Sequence, residues 1–103
     1  PGLAVAPGDM AGEEDEIAAA LERVPGWSAD GDAITKSYEF ADFRAALDFM
    51  NRGAGPIEEA DHHPEWTNVY NRVEVRLSSH DVGGVTERDT KLATVLERVA
   101  AAI

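Results

Sequence analysis

The sequence predicts an α+β domain: a four-stranded antiparallel sheet with three helices packed on one face, in the order α-β-β-α-β-β-α. Three observations carry that reading. Ile34 to Phe40 and Val73 to Ser79 alternate apolar and polar residues with the two-residue period of a half-buried strand. Each follows a shorter strand-like segment across a turn, so the strands come as hairpins and the sheet is mainly antiparallel. Three further stretches repeat apolar residues at helical spacing, and a sheet with one apolar face needs helices to cover it.

Residues 1–8 are small and rich in Pro and Gly, which offers little to bury, and they are expected to be a flexible arm or a non-native remnant; residues 9–103 then form one domain. Ile17, Leu21 and Val24 form the stripe of the first helix, with Glu13, Glu14, Asp15 and Glu16 at the end where the helix dipole favours negative charge, and Pro25-Gly26 ends it. Trp27 to Ala29 and Ala33 to Phe40 make the first hairpin around Asp30-Gly31-Asp32, because Gly supplies the positive φ of a tight turn. From Asp42 the chain turns helical, with Phe43, Leu47 and Met50 as its apolar stripe. Gly53-Ala54-Gly55-Pro56 is expected to stop it, since Pro disfavours helical geometry in the residue before it.

Periodicity does not classify Ile57 to Trp66. Thr67 to Tyr70 and Val73 to Ser79 read as the second hairpin around Asn71-Arg72, with Tyr70 as core material. His80 to Gly84 is a loop. Thr86 followed by Asp89 resembles a capping box in which Asp stands for the usual Glu or Gln, and Leu92, Val95, Leu96, Val99 and Ile103 complete the last helix.

Composition narrows the chemistry. The 103 residues carry 20 acidic and 9 basic side chains, a formal charge of -11, which repels phosphate backbones and argues against nucleic acid as a partner. No apolar run approaches the ~20 residues that cross a bilayer, so no membrane association and a cytoplasmic location are expected. Cysteine is absent, which excludes disulfides, thiolate-ligated zinc and a catalytic thiol. Histidines, carboxylates, hydroxyls and backbone are what remain. A domain of this size also buries a modest share of its surface, which favours oligomerisation.

All three histidines lie in two short places, His62-His63 before the third strand and His80 after the fourth. If those strands pair, the start of one lies beside the end of the other, and the three imidazoles gather at one sheet edge with Asp61 and Asp81 as neighbours. Imidazole titrates near pH 6.5 when unperturbed, so such a cluster can donate and accept protons at neutral pH, as elimination or hydration requires. The plainer alternative is that each His satisfies a local loop hydrogen bond. Metal binding is the other rival, but adjacent residues on extended backbone point to opposite sides, so His62 and His63 do not readily grip one ion and no metal is expected.

The run Glu58-Glu59-Ala60-Asp61-His62-His63-Pro64-Glu65-Trp66-Thr67-Asn68-Val69-Tyr70-Asn71 resembles the signature of the pterin-4a-carbinolamine dehydratase family. That signature wants an acidic residue ahead of His-His-Pro, then an aromatic, another His and an Asp; Glu58, His62, His63, Pro64, Tyr70, His80 and Asp89 fill those places in order. Gly26-Trp27, Phe49-Met50, Ser79-His80-Asp81, Gly83-Gly84 and Leu92-Ala93 agree as well, so the resemblance runs from about Leu21 to the end. One departure is that Gly53, Gly55 and Pro56 stand where the family continues its second helix with larger or helix-favouring residues.

The resemblance implies the same fold, association as a homodimer or homotetramer, and conversion of 4a-hydroxytetrahydropterin to quinonoid dihydropterin and water, in tetrahydrobiopterin recycling, without a cofactor. It implies His62, His63 and His80 as catalytic residues, and Glu58, Asp61, Ser78, Ser79 and Asp81 with the histidines as substrate-binding ones. The backbone of Ser78-Ser79 would hold the flat pterin. Asp61 or Asp81 would set the histidine tautomers, and Trp66, Arg88 and Asp89 would support the site. Within the same resemblance the alternatives are a non-catalytic partner, since members dimerise a homeodomain transcription factor or assist assembly of a carboxylating enzyme, and an enzyme acting on another pterin.

Overall fold

A computed structural model describes residues 14–103, with side chains from Ala18 onward. The expected arm at 1–8, the acidic residue Glu13 and the side chains of Glu14 to Ile17 lie outside the described residues. Seven elements follow in the expected order: α1 Glu14–Leu21, β1 Ser28–Asp30, β2 Ala33–Glu39, α2 Phe43–Ala60, β3 Glu65–Val69, β4 Arg72–Leu77 and α3 Glu87–Ala101. The four strands form one antiparallel sheet in the order β1-β2-β4-β3.

The centre of the sheet is the β2–β4 pair, where Ile34 faces Leu77, Lys36 faces Val75 and Tyr38 faces Val73. These alternate positions put their apolar side chains on one face, and Ile34, Val73, Val75 and Leu77 are all at most 1% exposed. Phe49 and Ala46 of α2 and Leu92, Ala93 and Leu96 of α3 close over that face. Each large apolar side chain so buried contributes about 1.5–3 kcal/mol. Thr35, Ser37, Glu74 and Arg76 remain on the open face, which forms a shallow concavity of about 740 Å³.

The second helix does not stop at Gly53-Ala54-Gly55-Pro56. It continues to Ala60 with Pro56 inside it. A proline in a helix interior costs on the order of 3 kcal/mol, so something must outweigh it. Gly55 has no Cβ to collide with the proline ring, which removes much of the penalty on the preceding residue. Gly53 lets the helix lie close to its neighbours: a Cβ there would stand 3.2 Å from a Leu96 methyl and 3.6 Å from the Trp66 ring. Ile57, one residue beyond the proline, is 4% exposed and anchors the last turn in the core. Tertiary burial thus overrides local propensity.

That extra turn ends in a Schellman motif. Asp61 takes the left-handed conformation (φ 50°), its N–H donates to the Glu58 carbonyl, and the His62 N–H donates to the Ile57 carbonyl. Asp tolerates this conformation better than most residues.

The second hairpin turns one residue earlier than expected. Val69 pairs with Arg72, leaving Tyr70-Asn71 as the two-residue turn, with Tyr70 at φ 53° and 65% exposed rather than in the core. Two asparagine side chains fix this register. Asn68 donates to the Tyr70 and Arg72 carbonyls, and Asn71 donates to the Phe40 carbonyl while accepting the Phe40 N–H on its own backbone oxygen. Ile103, expected on the last helical stripe, lies beyond α3 and is exposed.

On the helical side, Glu97 of α3 accepts from Trp27 Nε1 at 3.2 Å, Lys36 Nζ at 2.5 Å and the Tyr38 hydroxyl at 2.5 Å. Lys36 also donates to the Pro25 carbonyl, so α3, β2 and the turn after α1 are tied at one carboxylate. Burial alone would push the Glu97 carboxyl up, but hydrogen bonds from Lys36 and Tyr38 and the nearby ammonium charge outweigh it and hold it below the usual carboxylate range. A lowered carboxyl stabilises the fold above the ordinary glutamate value of about 4.3, and that contribution is lost as pH falls through the lower folded value. Glu97→Gln is therefore expected to cost roughly 1–2 kcal/mol in urea unfolding at neutral pH, with the gap to the unaltered protein closing under acid.

Candidate active site

The fold brings three chain segments to one end of the sheet: the link from α2 to β3, the end of β4 with its following loop, and the first turn of α3. They meet on Asp89, which has no exposed surface. His62 Nε2 lies at hydrogen-bond distance, 2.6 Å, from Asp89 Oδ1. Asp89 Oδ2 accepts from Ser79 Oγ at 2.8 Å and from the Thr86 N–H at 2.9 Å, and Ser79 Oγ lies 2.8 Å from Thr86 Oγ1. A carboxylate removed from water needs such donors, because an unsatisfied buried charge is far more costly than an unsatisfied neutral group.

Local sequence explains each position. Thr86 is the N-cap of α3 and Asp89 its third residue, so the expected capping box is present, with the Thr86 hydroxyl accepting the Arg88 N–H at 3.2 Å. The Asp89 carboxylate is thereby held back over the helix start, toward the end of β4. Ser79, just past β4, turns its side chain to the helix side. Its backbone closes the loop by bridging to Gly84, and its carbonyl collects the N–H groups of Val82, Gly83 and Gly84. His80 to Gly84 is thus a tight loop, with Gly83 at φ 71°.

His62 is nearly enclosed, its side chain 11% exposed. His63 follows it toward solvent, with Nε2 2.6 Å from Glu58 Oε1 in the last turn of α2. The continuation of α2 past Pro56 puts Glu58 there. His63 and Glu58 border a recess of about 210 Å³ with Ala54, Ile57, Pro64 and Trp66. Trp66 itself is half-buried and packs edge-on against Phe49, their ring centres 6.1 Å apart. His80 is exposed and makes no side-chain hydrogen bond among the described residues. Asp89 bonds both His62 and Ser79, so the segment that carries His62-His63 meets the end of β4 from which His80 follows.

The orienting carboxylates are therefore not the sequence neighbours. Asp61 is exposed in its left-handed turn, and Asp81 is paired with Arg88 at 2.7 Å across the loop. The Arg88 hydrogen bond, with the charge of the same guanidinium, holds the Asp81 carboxyl below its ordinary range. Asp89 holds His62 and Glu58 holds His63 instead. Ser78 has a buried Oγ with no hydrogen-bond partner among the described residues, and its backbone takes no part in the turn hydrogen bonds around it. Thr86 is the site residue that sequence reasoning missed; its signal, the capping box, was legible but reads as a helix start. Among the described residues no group of three or more His, Asp or Glu is arranged to hold a metal ion.

Comparison with known proteins decides the family. The model of the family described as Pterin 4 alpha carbinolamine dehydratase matches residues 10–99. The chain belongs to the pterin-4a-carbinolamine dehydratase family. It is 57% identical over 83 residues to a protein of Burkholderia multivorans, spanning 79% of this chain and 81% of that one, and 53% identical over 83 residues to one of Nitrobacter winogradskyi, spanning 79% and 82%. Both relatives carry the name of a pterin-4-alpha-carbinolamine dehydratase as a provisional assignment. The crystal structure of a Brucella melitensis protein described as a transcriptional coactivator/pterin dehydratase superposes with a TM-score of 0.82 at 47% identity, covering 85% of this chain and 96% of that one. A pterin dehydratase-like protein described as a RuBisCO assembly factor in the alpha-carboxysome shares the fold alone, with a TM-score of 0.61 at 17% identity over 72% of this chain and 86% of that one.

The burial of Asp89 sets a stability test. Asp89→Ala removes the cap acceptor of α3 and leaves the Ser79 hydroxyl and Thr86 N–H without a partner, so urea unfolding is expected to show a loss of about 2–4 kcal/mol.

Proposed function

We propose that this chain removes water from 4a-hydroxytetrahydropterin to give quinonoid dihydropterin, with tetrahydrobiopterin as the pterin being recycled. The observation that supports it best is the His62–Asp89–Ser79 constellation, set within a complete family motif of Glu58, His62, His63, Pro64, His80 and Asp89. The same reading makes the protein a cytoplasmic homodimer or homotetramer that needs neither metal nor cofactor and binds neither nucleic acid nor membrane.

Dehydration breaks the C4a–O bond and forms the C4a=N5 double bond. Hydroxide leaves poorly until it is protonated, and the electron pair that expels it is released when N5 gives up its proton. One acid and one base are enough, each worth about 10²–10⁴-fold. With Nε2–H committed to Asp89, neutral His62 keeps its lone pair on Nδ1, which suits it to accept the N5 proton. His80, solvent-exposed on the adjoining loop, is the donor to the departing hydroxyl. His63, steadied by Glu58, places the ring, with its own Nδ1 left for the ligand. The Ser78 main chain, outside the hydrogen-bonded turn that Ser79 makes with Gly84, suits the donor–acceptor edge of a flat heterocycle. Asp61 and Asp81, both exposed, are left to meet the substrate, with Arg88 fixing Asp81 and Trp66 supporting the strand after the histidines through its packing on Phe49.

The test generates the carbinolamine with an aromatic amino-acid hydroxylase and follows its dehydration spectroscopically. The protein is expected to accelerate the reaction, and His62→Ala or His80→Ala to slow turnover by roughly 10²–10⁴-fold with circular dichroism unchanged. An unaltered rate on adding the protein rejects the enzyme reading; full activity in both variants rejects the acid–base roles.

A further inference from the structure

We propose that Thr86 and Ser79 are positioning residues whose hydroxyls form a one-way hydrogen-bond chain, holding Asp89 Oδ1 on His62 and thereby keeping His62 in its Nε2–H tautomer. For catalysis, this rests on the reading of His62 as proton acceptor given above.

The direction of every bond follows from counting protons. An ionised carboxylate only accepts, so each partner of Asp89 must donate to it. Ser79 has one hydroxyl proton, and it goes to Asp89 Oδ2 at 2.8 Å. On the 2.8 Å contact between Ser79 and Thr86 the proton must then come from Thr86. Thr86 Oγ1 uses a lone pair for the Arg88 N–H, which leaves its own hydrogen for Ser79. The chain therefore runs from Thr86 to Ser79 to Asp89 Oδ2, and His62 Nε2–H approaches the other oxygen.

The second oxygen matters because the last torsion of an aspartate is soft. What fixes Asp89 is the pair of donors on Oδ2, the Ser79 hydroxyl and the Thr86 N–H. Both Ser79 and Asp89 have no exposed surface, so water does not replace a missing link. Thr86 thus has two tasks at once: it caps α3, and through Ser79 it aims the carboxylate behind His62. Ser79 commits its hydroxyl to Asp89 and its backbone to the loop that closes on Gly84, so it acts through Asp89.

Capping alone is separable from aiming. Ser79→Ala breaks the chain and leaves the α3 cap intact. Thr86→Val removes the cap hydroxyl and the donor that orients Ser79 but leaves both donors on Asp89 Oδ2, and Thr86→Ser keeps all of them. The readout is the ring-nitrogen NMR signature of His62 in the whole, ligand-free protein at a pH of about 8.5, where unperturbed imidazole is neutral, alongside kcat and KM for the dehydration and urea unfolding of each variant. The unaltered protein and Thr86→Ser are expected to show the Nε2–H tautomer. Ser79→Ala is expected to show a tautomer mixture and a kcat lowered roughly 10–100-fold with KM little changed, the size typical for loss of an orienting partner, and Thr86→Val a smaller change in the same direction. Wild-type ring signals in Ser79→Ala overturn the proposal and reduce Thr86 to a helix cap. If the unaltered protein dehydrates nothing, the catalytic reading fails while the tautomer arm still decides the positioning. Should Thr86→Val not fold, Ser79→Ala against the unaltered protein settles the matter.

Discussion

A carboxylate with no access to water dictates how this molecule is put together. Asp89 is fully buried, and a buried charge persists only where hydrogen-bond donors surround it. Its donors come from the Ser79 hydroxyl at the end of β4, the Thr86 N–H at the head of α3 and the His62 ring between α2 and β3. Three chain segments therefore converge at this point. Convergence also brings the His62-His63 link to the end of β4 that leads into His80.

The rest of the fold supports that arrangement from below. The β2–β4 ladder gives a rigid floor, so the position of Ser79 follows from the register that puts Ile34 opposite Leu77. The final turn of α2, held by Ile57 and closed by the left-handed Asp61, sets where His62 leaves the helix and where Glu58 stands to meet His63. At the other end of the helical layer Glu97 locks α3 against β2, which fixes the direction of the helix that carries Asp89. Two carboxylates on one helix thus do matching work, one for the frame and one for the site.

Much of this was legible in the sequence, for identifiable reasons. Alternation in β2 and β4, the Gly31 turn and the Thr86–Asp89 cap are local patterns, and local patterns survive folding when tertiary packing agrees with them. The misreadings arose where packing disagreed. Gly53 to Pro56 carry every mark of a helix stop, but small residues at 53 and 55 and an apolar anchor at 57 let the core hold the helix together. The second hairpin was displaced by side-chain amides of Asn68 and Asn71, which no periodicity reveals. The histidine partners were misassigned because nearness in sequence was taken for nearness in space: Asp61 and Asp81 flank the histidines along the chain, while Asp89 reaches His62 from 27 residues away.

We propose that the end of the sheet where His62 meets Asp89, and not its open face, receives a flat pterin through the Ser78 backbone with the His62 ring beside it. A structure of the protein bound to a reduced pterin that lacks the 4a-hydroxyl, and so cannot react, tests this most directly. The account predicts hydrogen bonds from Ser78 main-chain groups to the heterocycle, with His62 Nδ1 facing the C4a–N5 edge. A pterin seated on the open sheet face among Thr35, Ser37 and Arg76, or one bound with His62 turned away, would contradict it.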